Sequence, residues 1–180
     1  MLRITIPATE LWDENKQMFI DIKEQTLQLE HSLVSVSKWE AKWCKPFLNK
    51  EPKSMEESID YVRCMTLTQN VDPEVYNYLT EDNFKTVNKY IESSMTATWF
   101  SDDKTSKSSG EQVTSELIYY WMVALQIPFE CQKWHLNRLF TLIRVCNVKN
   151  QPSKKMRKKD IMSQNASLNA ARRARLNTKG

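Results

Sequence analysis

The longest periodic run of apolar residues lies between Glu111 and Lys149 and is interrupted once, at Pro128. On each side of the proline, apolar residues recur at the spacing of three and four that places them on one helix face. Because proline lacks a backbone N–H and fits only the first turn of a helix, we expect Pro128 to end one helix and begin the next. The pattern predicts a helical hairpin that supplies most of the core. The two series are Leu117, Ile118, Trp121, Met122 and Leu125, then Trp134, Leu139, Leu142, Ile143 and Cys146.

Two short runs near the N-terminus have the pattern of β-strands. Leu2–Ile6 alternates and is β-branched, and Met18–Ile22 is a second apolar run that follows the polar turn at residues 13–16. Runs of this kind, separated by a polar turn, predict a small antiparallel ribbon. Since an isolated two-stranded ribbon is only marginally stable, we expect it to pack against the helical body.

Between the ribbon and the hairpin, helical spacing and start signals predict further helices. Leu27–Trp43 has helical spacing up to the break at Pro46, and its apolar residues that share one face are Leu29, Leu33, Val36, Trp39 and Trp43. Ser54-Met55-Glu56-Glu57 has the form of a capping box. Asp72-Pro73 predicts a short helix over Glu74–Leu79, and Thr80 begins another.

Residues 93–110 are polar and lack a periodic apolar pattern, which predicts a long loop anchored by Trp99 and Phe100. A strand over Met95–Phe100 is the competing interpretation. We therefore expect a mainly α fold, a multi-helix single domain with a small N-terminal β-hairpin and a flexible basic C-terminal tail. Its parts are a ribbon over 1–26 packed on the body, a helical body over 27–150 with a polar loop near 94–110, and a tail over 151–180.

Composition narrows the classes of function. The 180 residues include only two glycines, Gly110 and Gly180, which disfavours phosphate-binding loops and nucleotide-binding fingerprints. The four cysteines, Cys44, Cys64, Cys131 and Cys146, stand far apart without a signal peptide, so we expect reduced thiols. No apolar run approaches the roughly 20 residues that cross a bilayer. The sequence predicts a soluble intracellular protein without a membrane partner.

Cys131 and His135 are the pair with the clearest chemical potential, because they stand one helical turn apart. Zinc ligands and thiol–imidazole pairs both use this separation. A structural zinc site needs four ligands, and neither His31 nor another cysteine has a paired spacing. We therefore interpret both residues as core, and predict no metal, no cofactor and no enzymatic activity.

Charge is divided sharply along the chain. Residues 151–180 hold nine Lys and Arg against one acid, a formal +8, which leaves residues 1–150 at −4 within the total of +4. The tail can bind a polyanion, with an affinity that falls steeply with salt. It can instead fold against a protein partner through Ile161, Met162, Leu168 and Leu176, which we prefer because Asn, Gln and Ser dilute its charge. A solvated tail is the third interpretation.

Several segments resemble one family. LQLEHSLVSVSKWEAKWCKPFL, MTATWF, ELIYYWMVALQIPFECQKWHLNRLFTLIRVCNVKN and the tail strings PSKKM and LNAARRARLNTKG are similar to a small tail-gene protein of tailed bacteriophages, often described as a tail assembly chaperone. The resemblance spans nearly the whole chain. It implies a siphovirus-like assembly protein of the host cell cytoplasm that coats the tape measure protein and keeps it soluble until tail tube subunits polymerise.

The density of aromatic residues in the hairpin and the helical spacing of the tail indicate which surfaces bind. A tape measure helix exposes an apolar stripe, and a groove beside three aromatic residues, Trp121, Phe129 and Trp134, is predicted to receive it. Tail residues predicted to bind are Ile161, Leu168, Arg172, Arg173 and Leu176. The tail tube protein and a second copy of the chain are further expected partners. The alternative function is a virion structural or nucleic-acid-associated protein whose tail touches DNA, although nucleic acid is the less favoured partner.

Overall fold

The chain is mainly helical, with a small antiparallel hairpin at its N-terminus. The computed structural model describes residues 1–13, 17–100, 112–150 and 158–177. It divides into two compact units, Met1–Asn147 and Val148–Gly180. The helices are α1 (Leu33–Trp43), α2 (Met55–Met65), α3 (Glu81–Glu92), α4 (Ser115–Ala124), α5 (Leu136–Asn150) and α6 (Lys158–Leu176), with 3₁₀ turns at Pro73–Tyr78 and Phe129–Lys133.

The N-terminal segment contains four short strands in two antiparallel pairs, rather than the two strands that were predicted. β1 (Leu2–Ile6) pairs with β4 (Gln25–Leu29), while β2 (Thr9–Asp13) pairs with β3 (Met18–Ile22), both antiparallel. The predicted pairing of Leu2–Ile6 with Met18–Ile22 is therefore wrong, although both strands exist. The prediction assigned Leu27 and Leu29 to a helix, but these residues alternate with polar ones and lie fully buried on one face of β4.

The core is formed by residues of β1, β4 and several helices, and not mainly by one helical hairpin. Its fully buried members include Ile6, Leu29, Leu33, Met65 and Leu139. α4 packs chiefly against α1, and α3 packs beside β1. The prediction that the hairpin supplies most of the core is wrong, because among the described residues ten buried apolar side chains lie on β1, β4, α1 and α2, and seven lie between residues 111 and 149.

Pro128 does not begin a long helix, which corrects the prediction for this residue. α4 ends at Ala124, and Gln126 has a left-handed backbone with φ of 55°. Pro128 then caps the 3₁₀ turn Phe129–Lys133, and α5 begins only at Leu136. Trp134 and His135 consequently precede α5 instead of lying on its first turns.

Local start signals placed three helical segments correctly. The Ser54 hydroxyl accepts from Glu57 N–H, and the Glu57 carboxylate accepts from Ser54 N–H at 2.8 Å, which confirms the predicted capping box. Asp72 caps the turn that carries Pro73 at its start. Thr80 caps α3 and forms a second reciprocal cap with Asn83.

The polar loop is confirmed only where it is described. Residues 93–100 form neither helix nor strand, so the competing strand over Met95–Phe100 is wrong. Trp99 is 92% exposed and is not the predicted anchor, whereas the Phe100 ring lies 4.2 Å from the Arg144 guanidinium carbon. The rest of the predicted loop, up to residue 110, lies outside the described residues.

The second unit contains α6, a helix of 19 residues. All of its side chains that the structure describes are exposed. The tail is thus helical over Lys158–Leu176. Its predicted flexibility stays a prediction.

Candidate partner-binding cleft

An apolar cleft opens beside Trp121, which is one of the three aromatic residues predicted to contact a partner. Its volume is about 630 Å³. The loop that follows α1 forms one wall, the segment that leads into α4 and Trp121 of α4 form another, and Phe140 of α5 completes the lining. The residues that line it are Pro46, Leu48, Asn49, Lys50, Gln112, Val113, Trp121 and Phe140.

The loop wall is held in place by an aromatic cluster beneath it. α1 ends where Cys44 adopts a left-handed backbone with φ of 51°, which reverses the chain. Phe47 then turns inward and stacks on Tyr61 with ring centres 3.9 Å apart. The Lys53 ammonium covers the Phe47 ring at 4.3 Å from its centre. Leu48 and Pro46, on either side of the buried Phe47, are thereby left facing the cleft.

Glu40 ties the two walls together. This buried residue lies in the last turns of α1, and its two carboxylate oxygens accept from different segments. Oε1 accepts from Phe47 N–H at 2.8 Å, and Oε2 accepts from Ser115 N–H at 2.7 Å. Ser115 is the first residue of α4, whose N–H has no partner within the helix and whose dipole favours a negative charge. One side chain therefore sets the distance between the loop wall and α4.

The chemistry of the cleft suits apolar contact rather than catalysis. Leu48, Val113, Trp121 and Phe140 present aliphatic and aromatic surface, and Lys50 is the charged member of its described lining. Such a surface binds through apolar burial worth about 25 cal/mol per Å². Trp121 is half-buried, so part of its ring packs against the protein and part remains available to a partner.

Phe129 and Trp134 lie apart from this cleft. Phe129 is 54% exposed and its ring stands 6.5 Å from that of Tyr119, two positions before Trp121 on α4. Residues two apart on a helix point in different directions. Trp134 packs under the Arg138 guanidinium at 4.2 Å from the ring centre. The structure thus brings Trp121 together with Phe140 and Leu48, and not with the other two predicted aromatics.

The predicted tail residues all lie on α6. Ile161, Leu168 and Leu176 are exposed apolar residues, and Arg172 and Arg173 are exposed beside them. Ile161 and Leu168 are seven positions apart, close to two helical turns, so they share one face. The helix offers an apolar row accompanied by guanidinium groups.

Cys131 and His135 do not share a helix, which corrects the expectation that they stand one helical turn apart. Cys131 lies in the 3₁₀ turn and His135 precedes α5. His135 Nδ1 accepts from Asn137 N–H at 3.3 Å and Nε2 donates to the Tyr90 carbonyl at 3.0 Å. Burial, followed by the neighbouring Glu130, raises the pKa of the Cys131 thiol. Both imidazole nitrogens are thus engaged in hydrogen bonds, and the thiol is disfavoured as a nucleophile.

Sequence reasoning missed Glu40, Leu48, Val113 and Phe140. Glu40 could have been identified from the sequence. It follows Trp39 and stands four residues after Val36, so it places a carboxylate on the mainly apolar, buried face of α1. Buried carboxylates are rare unless they are paired or hydrogen-bonded. The other three carried no local signal, since their meeting depends on how the loop, α4 and α5 pack.

Comparisons with known proteins identify no relative: no protein-family model matches the chain, and no curated protein or solved structure is significantly similar to it.

Within the described segments, no helix combines the length and the apolarity that crossing a membrane requires. No group of three or more potential metal ligands occurs among the described side chains.

Proposed function

We propose that this protein is a non-enzymatic tail assembly chaperone of a tailed bacteriophage, which binds the tape measure protein and keeps it soluble while the tail tube assembles. The proposal rests on the resemblance of the segments quoted above. The observation that carries it in the fold is the apolar cleft at Trp121, because a chaperone of this kind must cover apolar surface on an extended helical partner. Its place of action is the host cell cytoplasm.

The binding mode follows from the shape and chemistry of the cleft. An amphipathic helix presents apolar residues at every third or fourth position, and such residues insert into an apolar groove. Trp121 and Phe140 would contact one of these residues, while Pro46 and Leu48 close the opposite side. Removing the apolar stripe of the partner from water prevents the stripe from aggregating with other copies.

The test is co-expression with the tape measure protein of the same phage. We expect the wild-type chain to increase the soluble fraction of the tape measure protein. The double variant Trp121→Ala, Phe140→Ala should lose most of this effect because it removes the aromatic surface of the cleft. Tyr120→Ala is the matched control, since Tyr120 is the next residue on α4, is 65% exposed and does not line the cleft.

Two results would count against these assignments. If the wild-type chain leaves the tape measure protein insoluble, the chaperone function is wrong. If the wild type works and the double variant works equally well, the function stands and the cleft is not the binding surface. Circular dichroism and unfolding of each variant establish that lost function does not reflect lost folding.

A second candidate function rests on α6. Five exposed basic residues on this helix, Lys158, Lys159, Arg172, Arg173 and Arg175, make phosphate binding by a virion-associated structural protein a competing proposal. Pull-down from infected cells distinguishes the two functions. Recovery of tape measure or tail tube protein supports the chaperone, whereas DNA retention that falls steeply with salt supports the alternative. Sedimentation of the purified chain reports self-association, which would accompany either function.

A further inference from the structure

A second cavity lies on the body, lined by residues other than those of the Trp121 cleft. Its volume is about 350 Å³, near the lower end of the roughly 300–1,000 Å³ typical of ligand pockets. It is formed by the start of α1, the end of α2, the N-terminal residue and the second 3₁₀ turn. The residues that line it are Met1, Glu30, Ser32, Val34, Ser35, Lys38, Cys64, Met65, Thr66, Leu67 and Lys133.

The inner polar groups of this cavity are already satisfied by the protein. The Ser32 hydroxyl accepts from Ser35 N–H, and the Ser35 hydroxyl accepts from Ser32 N–H and donates to the Ser32 carbonyl. Glu30 accepts from the Tyr90 hydroxyl at 2.8 Å and pairs with the Met1 ammonium at 2.9 Å. These groups need no ligand atom, so the cavity accepts an apolar group against the accessible side chains of Val34 and Leu67.

The two lysines that line the cavity, Lys38 and Lys133, have no acidic partner among the described residues. Among the described residues, neither Lys38 nor Lys133 has a carboxylate within salt-bridge distance, and the one lining carboxylate, Glu30, is paired with Met1. Both lysines are exposed residues at the mouth of a cavity with apolar walls. A ligand that places an anion near them and an apolar chain inside would satisfy both features.

We propose that this cavity binds a small carboxylic acid with a short apolar chain, with the carboxylate at Lys38 and Lys133 and the chain against Val34 and Leu67. The site is separate from the Trp121 cleft and does not depend on the chaperone function. Cys64, which lines the cavity and is partly exposed, provides a reporter for occupancy. Cys44 is exposed and does not line this cavity, so it provides an internal control.

The experiment measures the alkylation rate of each cysteine in the full-length protein with uncharged iodoacetamide, resolved by mass spectrometry. The probes are octanoate, octanol, which has the chain without the charge, and acetate, which has the charge without the chain. Octanoate should slow alkylation of Cys64 by a factor of 1 + [L]/Kd, about tenfold at nine times Kd, and leave Cys44 unchanged. Octanol and acetate should protect Cys64 much less at equal concentration.

Two variants locate the bound probe. Lys38→Gln combined with Lys133→Gln should reduce octanoate protection to the level of octanol, and Val34→Phe should abolish protection by filling the cavity. Burial, followed by Asp60, raises the pKa of the Cys64 thiol, and Lys38 opposes this rise, so each comparison uses the ratio of rates with and without probe in the same variant. Equal protection by octanol and octanoate, protection that survives Val34→Phe, or no protection of Cys64 up to the solubility of octanoate would each overturn the proposal.

Discussion

His31 and His135 form a buried pair whose ring centres lie 5.1 Å apart. His31 Nδ1 shares a hydrogen bond with the Tyr61 hydroxyl. Burial, and then the neighbouring His135, lowers the pKa of His31 from 6.5 to about 3. Burial also lowers the pKa of His135, against the raising effects of the Tyr90 carbonyl and Glu30. The folded protein therefore holds both imidazoles in their neutral form at neutral pH.

The pH dependence of stability follows from this pair. Below pH 6.5 residue 31 is protonated in the unfolded chain, whereas in the folded chain it stays neutral down to about pH 3. The stability that the neutral His31 contributes is therefore complete above pH 6.5 and is lost as the pH falls toward 3. We expect a loss of about 1.4 kcal/mol per pH unit from one such group. His31→Gln keeps a polar partner for Tyr61 and removes the titration. Its free energy of unfolding should fall less steeply than that of the wild type between pH 6.5 and 5; equal slopes would contradict the assignment.

Glu40 acts between elements, because it links the end of α1 to the following loop and to the start of α4. Removing its carboxylate leaves the Phe47 and Ser115 N–H groups buried without their acceptor. Each unpaired group costs about 1–3 kcal/mol, so we expect Glu40→Ala, which leaves two such groups, to lower the free energy of unfolding by about 2–6 kcal/mol. Urea unfolding measures the change. Glu51→Ala, at an exposed acid of the same loop region, should stay within about 0.5 kcal/mol.

The same variant affects the cleft. With the loop and α4 no longer held at a common carboxylate, Trp121 and Leu48 lose their fixed separation. Partner binding should therefore weaken even under conditions where Glu40→Ala remains folded. Unchanged binding by a folded Glu40→Ala protein would show that the cleft does not need this link.

The whole molecule contains a packed body and a helix whose described side chains are exposed. Leu139 on α5 is completely buried, so Leu139→Ala should cost about 2–5 kcal/mol of unfolding free energy. Leu168 on α6 is 50% exposed, and Leu168→Ala should change the same quantity by less than about 0.5 kcal/mol. Thermal and urea unfolding of the two variants test this contrast. A comparable loss from Leu168→Ala would mean that α6 packs on another surface in solution.

Local signals predicted much of the fold. The Ser54–Glu57 capping box, the Asp72-Pro73 start and the alternation of Leu2–Ile6 are read from neighbouring residues, and each occurs where it was expected. The pairing of strands was not predictable in the same way. Leu29 fits a helical face with Leu33 as well as a strand face with Leu27, and only the register with Ile4 and Leu2 decides for the strand.

The candidate site was predicted only in part, since Trp121 was identified and its neighbours were not. Glu40, Phe47 and Ser115 meet across 75 positions of the chain, and no local pattern encodes such a contact. The contact between His31 and His135 was equally unpredictable from local sequence. The two side chains form a buried pair only because the segment before α1 lies beside the segment before α5.

By itself, the sequence determined the mainly helical class, the starts of α2, α3 and the turn at Pro73, and the division of charge between body and tail. Periodicity, capping and composition act over one or two helical turns, which is why they can be read without a fold. Tertiary structure alone decided that Leu2–Ile6 pairs with Gln25–Leu29, that Pro128 opens a 3₁₀ turn, and that Glu40 joins two walls of an apolar cleft. Those outcomes depend on packing between distant segments, where burial and hydrogen-bond satisfaction outweigh local preference.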